Sequence, residues 1–136
     1  AEDGTVLSVP QQGDGYIRMQ GRTVFSQAVR YMMSSLRRAC HASDLELGDL
    51  KLVIPHQANE RIVDAVRNRL DVEVFSNIRH LGNTSSTSIT LCLEEALPQL
   101  SPGERVGLCA FGAGFTFGAA ILERTAAAMG QAKRVA

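Results

Sequence analysis

The chain has 136 residues, of which 45% are hydrophobic and 21% charged, the composition of an ordinary globular domain folded round a core. Its 14 basic and 14 acidic side chains cancel, which excludes a whole-surface electrostatic partner such as nucleic acid or an anionic membrane and leaves only local patches. Cys40, Cys92 and Cys109 are odd in number and lack C-x-x-C spacing, so neither a disulfide framework nor a zinc or other metal site is expected. No apolar run approaches the roughly 20 residues of a spanning helix. The opening Ala1-Glu2-Asp3-Gly4 is not a signal peptide, and a cytoplasmic setting is expected. The sequence starts at alanine in a strand-rich region and reads as a fragment of a longer protein.

Residues 5–9 and 16–19 alternate apolar and polar side chains as short strands, with Pro10 to Gly15 as the turn between them. Over residues 23–40, Val24, Phe25, Ala28, Val29, Met32, Met33, Leu36, Ala39 and Cys40 recur every three or four positions, the spacing of a long amphipathic helix. Its outer face carries Arg22, Arg30, Arg37 and Arg38, which suits either a solvated helix face or a site for an acidic partner. Leu52-Val53-Ile54 reads as a buried strand, followed by the polar loop Pro55-His56-Gln57-Ala58-Asn59-Glu60 and a helix over 59–70 with the stripe Ile62, Val63, Val66 and Leu70. A second short strand, 72–75, leads into a loop holding Asn77, Arg79, His80 and Asn83. The helix predicted from Thr84 opens on five small residues, Thr84 to Ser88. It then places Ile89, Cys92, Leu93, Ala96 and Leu97 on one side and Leu91 on another, so burial between layers is expected. Two final strands, 105–111 and 115–122, enclose Gly112-Ala113-Gly114. The predicted fold class is α/β, a mixed five-stranded sheet with a buried central helix over residues 1–124, followed by a flexible tail at 125–136.

A loop at the carboxyl end of an α/β strand is where such folds gather polar chemistry, which makes His56 the first candidate. Asn83 brings a carboxamide on a second loop that also opens a helix. Neither side chain forms stable covalent intermediates, so together they suit gripping a substrate oxygen rather than attacking carbon. Each also has a plain structural explanation. His56 suits a satisfied structural histidine, Asn83 a helix N-cap, and the glycine turn a tight backbone bend. The turn joins strand to strand and therefore cannot be a dinucleotide fingerprint, which opens a helix. Its other use is to aim a backbone N–H at a substrate oxygen, and the joint occurrence of three such loops favours one common pocket.

Three stretches, Pro55-His56-Gln57-Ala58-Asn59-Glu60-Arg61-Ile62, Gly82-Asn83-Thr84-Ser85-Ser86-Thr87-Ser88-Ile89 and Phe111-Gly112-Ala113-Gly114-Phe115-Thr116-Phe117-Gly118, together resemble the C-terminal half of β-ketoacyl-acyl-carrier-protein synthase III. The resemblance implies the thiolase-like fold, in which this half pairs with a similar N-terminal half and the enzyme dimerises. The implied reaction is a decarboxylative Claisen condensation of an acyl thioester with malonyl-acyl carrier protein, in fatty acid or related biosynthesis. By that resemblance His56 and Asn83 are two members of a Cys-His-Asn triad. The cysteine lies in the N-terminal half, so this chain alone is expected to be inactive. Gly112, Ala113 and Gly114 would supply an oxyanion or backbone donor. Gln57, Ala58, Asn59, Glu60 and Arg61 would contact the carrier protein or its phosphopantetheine. No cofactor is implied beyond the substrates, which are coenzyme A and phosphopantetheine thioesters. Ala113 at the middle of its turn, and Phe117 where many relatives carry tryptophan, are departures that bear on acyl preference. Two alternatives stand beside this reading: an acyltransferase or specialised-metabolism condensing enzyme on the same scaffold, and a non-catalytic carrier-protein-binding or dimerisation domain.

Overall fold

The computed structural model of the chain describes residues 7–8, 16 and 18–126. The periodic apolar stripe of the first long segment produces α1 (Gly21–Ala42), which buries Val24, Ala28, Val29, Met32, Met33, Leu36 and Cys40. The helix begins at Gly21, two residues ahead of the predicted start at residue 23. The chain then enters β3 (Leu52–Pro55), all four of whose residues are buried. Strand β3 runs parallel to β4 (Glu73–Val74) on one side and β5 (Arg105–Gly112) on the other, with Leu52 opposite both Glu73 and Val106. An antiparallel partner, β6 (Thr116–Glu123), completes the order β4-β3-β5-β6.

The sheet therefore has four strands and not the five expected. The two earlier strands, β1 (Leu7–Ser8) and β2 (Arg18–Met19), pair with each other antiparallel in a separate ribbon. The turn predicted at residues 10–15 and the tail beyond residue 126 lie outside the described residues.

Strand alternation sorts the core into two halves. Val53, Val74 and Cys109 face α1 and α2 (Glu60–Arg67) in a cluster with Met32, Leu36, Ile62, Val63 and Val66. Leu52, Ile54 and Val106 turn the other way, onto Cys92 and Ala96 of α4 (Ser88–Ala96) and onto Leu100. The architecture is accordingly helices on both faces of a mixed sheet. Helix α2 begins where Asn59 Oδ1 accepts the Ile62 N–H at 3.1 Å, an N-cap one residue ahead of the first helical position, and ends three residues short of the predicted Leu70.

The helix predicted from Thr84 starts later, because Ser85 adopts a left-handed backbone (φ 57°) that an α-helix cannot contain. A 3₁₀ turn at Ser85–Thr87 precedes α4. Helix α4 buries Ser88, Cys92 and Ala96, while Thr90, Glu94 and Glu95 are exposed, so among the described residues it is covered on one side. The loop after β4 contains a short helix, α3 (Ile78–Leu81), that periodicity did not reveal because one turn is too short to show a period.

Gly107 of β5 faces Leu36 of α1 and Leu50. A Cβ there would lie 2.8 Å from the Cδ1 atoms of both Leu36 and Leu50. Gly107→Val is predicted to destabilise the fold by about 1–3 kcal/mol through overpacking. Gly48→Ala, where an added Cβ meets nothing within 4 Å, should change stability by about 0.5 kcal/mol or less. Urea unfolding of the two variants separates these outcomes.

Candidate active site

Because β3, β4 and β5 are parallel, their carboxyl ends emerge at one edge of the sheet. His56 is the first residue past β3, and its backbone N–H donates to Cys109 O at 2.7 Å. The half-buried imidazole meets the Phe111 ring edge-on, with centroids 5.5 Å apart. Its Nδ1 lies 2.7 Å from Ser88 Oγ, at the first turn of α4, and its Nε2 has no partner among the described residues. Burial pushes the His56 pKa below its usual 6.5, so the ring is held neutral.

The next residue, Gln57, is 0% exposed. Its Nε2 donates to Pro55 O at 2.6 Å, its Oε1 accepts from the Ser76 hydroxyl at 2.7 Å, and its backbone N–H reaches Ser88 Oγ at 3.3 Å. The loop after β4 is likewise tied to α4. Buried Asn77 donates from Nδ2 to Glu95 Oε1 at 2.8 Å and accepts from Cys92 Sγ at 3.0 Å. Strand ends and α4 are thus cross-linked through Gln57, Asn77 and Ser88, buried polar groups that would be costly to leave unpaired.

Asn83 is exposed, five residues before the serine that touches His56. Its Oδ1 accepts the Ser85 N–H at 2.9 Å, forming an Asx turn that supports the left-handed Ser85, while Thr84 occupies the N-cap position of the 3₁₀ turn. The Asn83 amide NH₂ donates to no other described group. In the glycine turn, Gly114 has φ +132° and a Cβ there would lie 3.0 Å from Thr116 Cγ2, so that glycine has a sufficient backbone reason. Thr116 Oγ1 donates to Ala113 O at 2.9 Å, and Ala113 stands exposed at the tip. Beside the turn, Phe111 stacks on Phe115 with centroids 5.8 Å apart, and Phe117 stacks on Tyr31 at 4.4 Å.

The segment expected to meet a carrier is narrowed by these contacts. Gln57 is a correction: its side chain is fully buried and both ends of its carboxamide are taken, so it cannot reach a partner surface. Asn59 caps α2 and Glu60 pairs with Arg79 at 3.1 Å. Ala58 is half-buried, whereas Arg61 is exposed and makes no ion pair or side-chain hydrogen bond among the described residues. On α1, Arg22, Arg30, Arg37 and Arg38 are exposed, and Arg30 lies over the Tyr31 ring at 4.5 Å.

None of the three cysteines is a nucleophile in waiting. All are free and buried, burial raises the pKa of Cys40 and Cys92, and Cys109 is pushed up to about 12. Sequence patterning missed Ser88, Ser76 and the Phe111 ring contact. Ser88 carried a signal, since it shares the stripe of Cys92 and Ala96 at four-residue spacing, and a serine on a buried stripe requires a hydrogen-bond partner.

The 3-Oxoacyl-[acyl-carrier-protein (ACP)] synthase III C terminal family matches residues 40–124 of this chain. The chain is similar to the β-ketoacyl-[acyl-carrier-protein] synthase III of Nitratidesulfovibrio vulgaris (strain Miyazaki F), with 45% identity over 118 residues that cover 83% of this chain and 36% of that protein. It is also similar to the Roseiflexus sp. protein of the same name, with 42% identity over 121 residues, covering 85% and 37% of the two chains. The crystal structure of 3-oxoacyl-[acyl-carrier-protein] synthase III from Aquifex aeolicus superposes with a TM-score of 0.83 at 37% identity, over 90% of this chain and 41% of that one. The chain therefore spans little more than a third of the length of these curated relatives. The fold is that of one α/β unit of the thiolase-like enzymes. Descending through the three motifs, the layered sheet and these matches, the chain belongs to the C-terminal family of the 3-oxoacyl-[acyl-carrier-protein] synthases III.

Proposed function

We propose that this chain works as the C-terminal catalytic half of a β-ketoacyl-acyl-carrier-protein synthase III, joining an acyl thioester to malonyl-carrier protein in fatty acid or related biosynthesis. An N-terminal half supplies the nucleophilic cysteine, acyl-coenzyme A and acyl carrier protein bring the substrates, and the intact enzyme is a homodimer. The observation that carries this reading is a pair of donors uncommitted among the described residues: His56 is bonded at Nδ1 and open at Nε2, and Asn83 is bonded at Oδ1 and open at its NH₂. Each side chain is anchored by one end and offers the other.

The chemistry uses those two N–H groups. The acyl group first rests as a thioester on the cysteine. In malonyl-carrier, the bond from the α-carbon to the carboxylate breaks, carbon dioxide leaves, and the electron pair passes into the thioester as an enolate. His56 Nε2–H and Asn83 Nδ2–H donate to that oxygen, stabilising the charge where it develops. The enolate carbon then attacks the acyl-cysteine carbonyl, a new carbon–carbon bond forms, and collapse of the tetrahedral intermediate expels the thiolate. The turn Gly112, Ala113, Gly114 supplies a backbone donor to the tetrahedral oxyanion. Arg61, with Ala58, Asn59 and Glu60 around it, meets the acidic carrier or the phosphate of its prosthetic arm, for which an unpaired guanidinium is suited.

In the intact synthase, His56→Ala and Asn83→Ala are each expected to lower malonyl-carrier decarboxylation by about 10²–10³, read as carbon dioxide release. A variant retaining near-normal release contradicts the assigned role. Since His56 acts neutral and burial lowers its pKa from 6.5, the acid limb of kcat should have its midpoint below pH 6.5. The same depressed pKa adds stability that is fully present above pH 6.5 and is lost as pH falls toward the folded-state value. Arg61→Glu should raise KM for malonyl-carrier protein at least tenfold, roughly the size of one lost charge-assisted contact. KM for acyl-coenzyme A in the priming half-reaction should change less.

A further inference from the structure

We infer that the Ser88 hydroxyl is a positioning residue for His56, donating to Nδ1 so that the imidazole is fixed as the tautomer with its hydrogen on Nε2, facing the substrate oxygen. The inference rests on the decarboxylative reading of His56 given above. Ser88 Oγ is 2.7 Å from His56 Nδ1 and also 3.3 Å from the Gln57 backbone nitrogen. A serine hydroxyl has one hydrogen to give and lone pairs to receive. The Gln57 N–H has only a donor to offer, so Ser88 Oγ accepts from it, and the hydroxyl hydrogen is left to find an acceptor.

His56 Nδ1 is the acceptor within reach among the described residues. Were Nδ1 protonated instead, Ser88 Oγ would face two donors and its own O–H would be stranded inside a residue only 1% exposed. The hydrogen on the ring is therefore placed on Nε2, the nitrogen with no partner among the described residues. Which ring nitrogen of a histidine carries its hydrogen is set by the bond the other makes, and a fixed tautomer is a large factor where imidazole works on one side only.

The position of Ser88 is itself secured. It lies on the buried stripe of α4 with Cys92 and Ala96, and α4 is fastened to the loop after β4 by Asn77 through Cys92 and Glu95. Gln57, adjacent to the histidine, is locked to Pro55 and Ser76. The hydroxyl and the imidazole are thus held from both sides of their short contact.

The test is ¹⁵N NMR of the intact synthase with labelled histidine, alongside decarboxylation kinetics of Ser88→Ala and Ser88→Thr. The wild type should show a protonated Nε2 and a bare Nδ1 at His56 at neutral pH. Ser88→Ala should show His56 sampling both tautomers and a kcat lower by about tenfold, the factor for one hydrogen bond, with KM for malonyl-carrier little changed. Ser88→Thr, which keeps the hydroxyl, should recover both signals. A wild-type ring protonated on Nδ1 overturns the inference, and this holds even if Ser88→Ala does not fold. So does a folded Ser88→Ala that keeps the Nε2–H signature and full kcat. His56→Ala separates the two levels: if it decarboxylates normally, the catalytic reading of His56 falls and the inference with it; if it is inactive while the wild-type tautomer is wrong, only the role of Ser88 falls.

Discussion

Strand β3 is packed on both faces and paired in parallel on both edges, and the chain leaving it passes through fully buried Gln57. Its first two residues satisfy their buried backbone and carboxamide groups within the protein. His56 does so through its N–H to Cys109 O, and Gln57 through a carboxamide bonded to Pro55 and Ser76. This constraint converts an ordinary strand end into a rigid platform. The imidazole departs from a backbone that has almost no freedom, which is the condition for a preorganised donor.

Helix α4 contributes the second half of the arrangement. Its buried stripe begins with a serine, and that serine meets both His56 and Gln57. The Asx turn at Asn83 and the left-handed Ser85 then lead the chain into the same helix. A non-glycine residue held at positive φ stores local strain, tolerated where surrounding bonds over-determine it, and here the Asn83 carbonyl provides one of those bonds. The Asn83 amide end stays open. A neutral imidazole and an open carboxamide suit the proposed stabilisation of negative charge, and the three buried thiols, their pKa values raised, offer no covalent nucleophile of their own.

The long first helix and the buried strand before His56 were legible because their apolar patterns are local. The stripe from Val24 to Cys40 and the run Leu52-Val53-Ile54 state their burial outright. His56 and Asn83 stood out because an imidazole and a carboxamide on strand-end loops have few structural reasons to recur with a glycine turn. What the sequence concealed was non-local. The burial of Gln57 could not be read from a polar loop motif, and it removes that residue from the carrier-facing set. The main sheet was over-counted by one strand: among the described residues β1 and β2 pair with each other in a separate ribbon, and pairing partners are not encoded in alternation. Ser88 hid among five small residues whose shared feature, size, masked the one whose hydroxyl is used.

The central claim is that one substrate oxygen sits between the imidazole and the carboxamide. A crystal structure of the intact synthase with a non-decarboxylating malonyl thioester analogue measures this directly. It should place His56 Nε2 and Asn83 Nδ2 each about 2.7–3.2 Å from the same thioester oxygen. A bound analogue whose thioester oxygen contacts neither nitrogen, or only one while the other turns away, would contradict it.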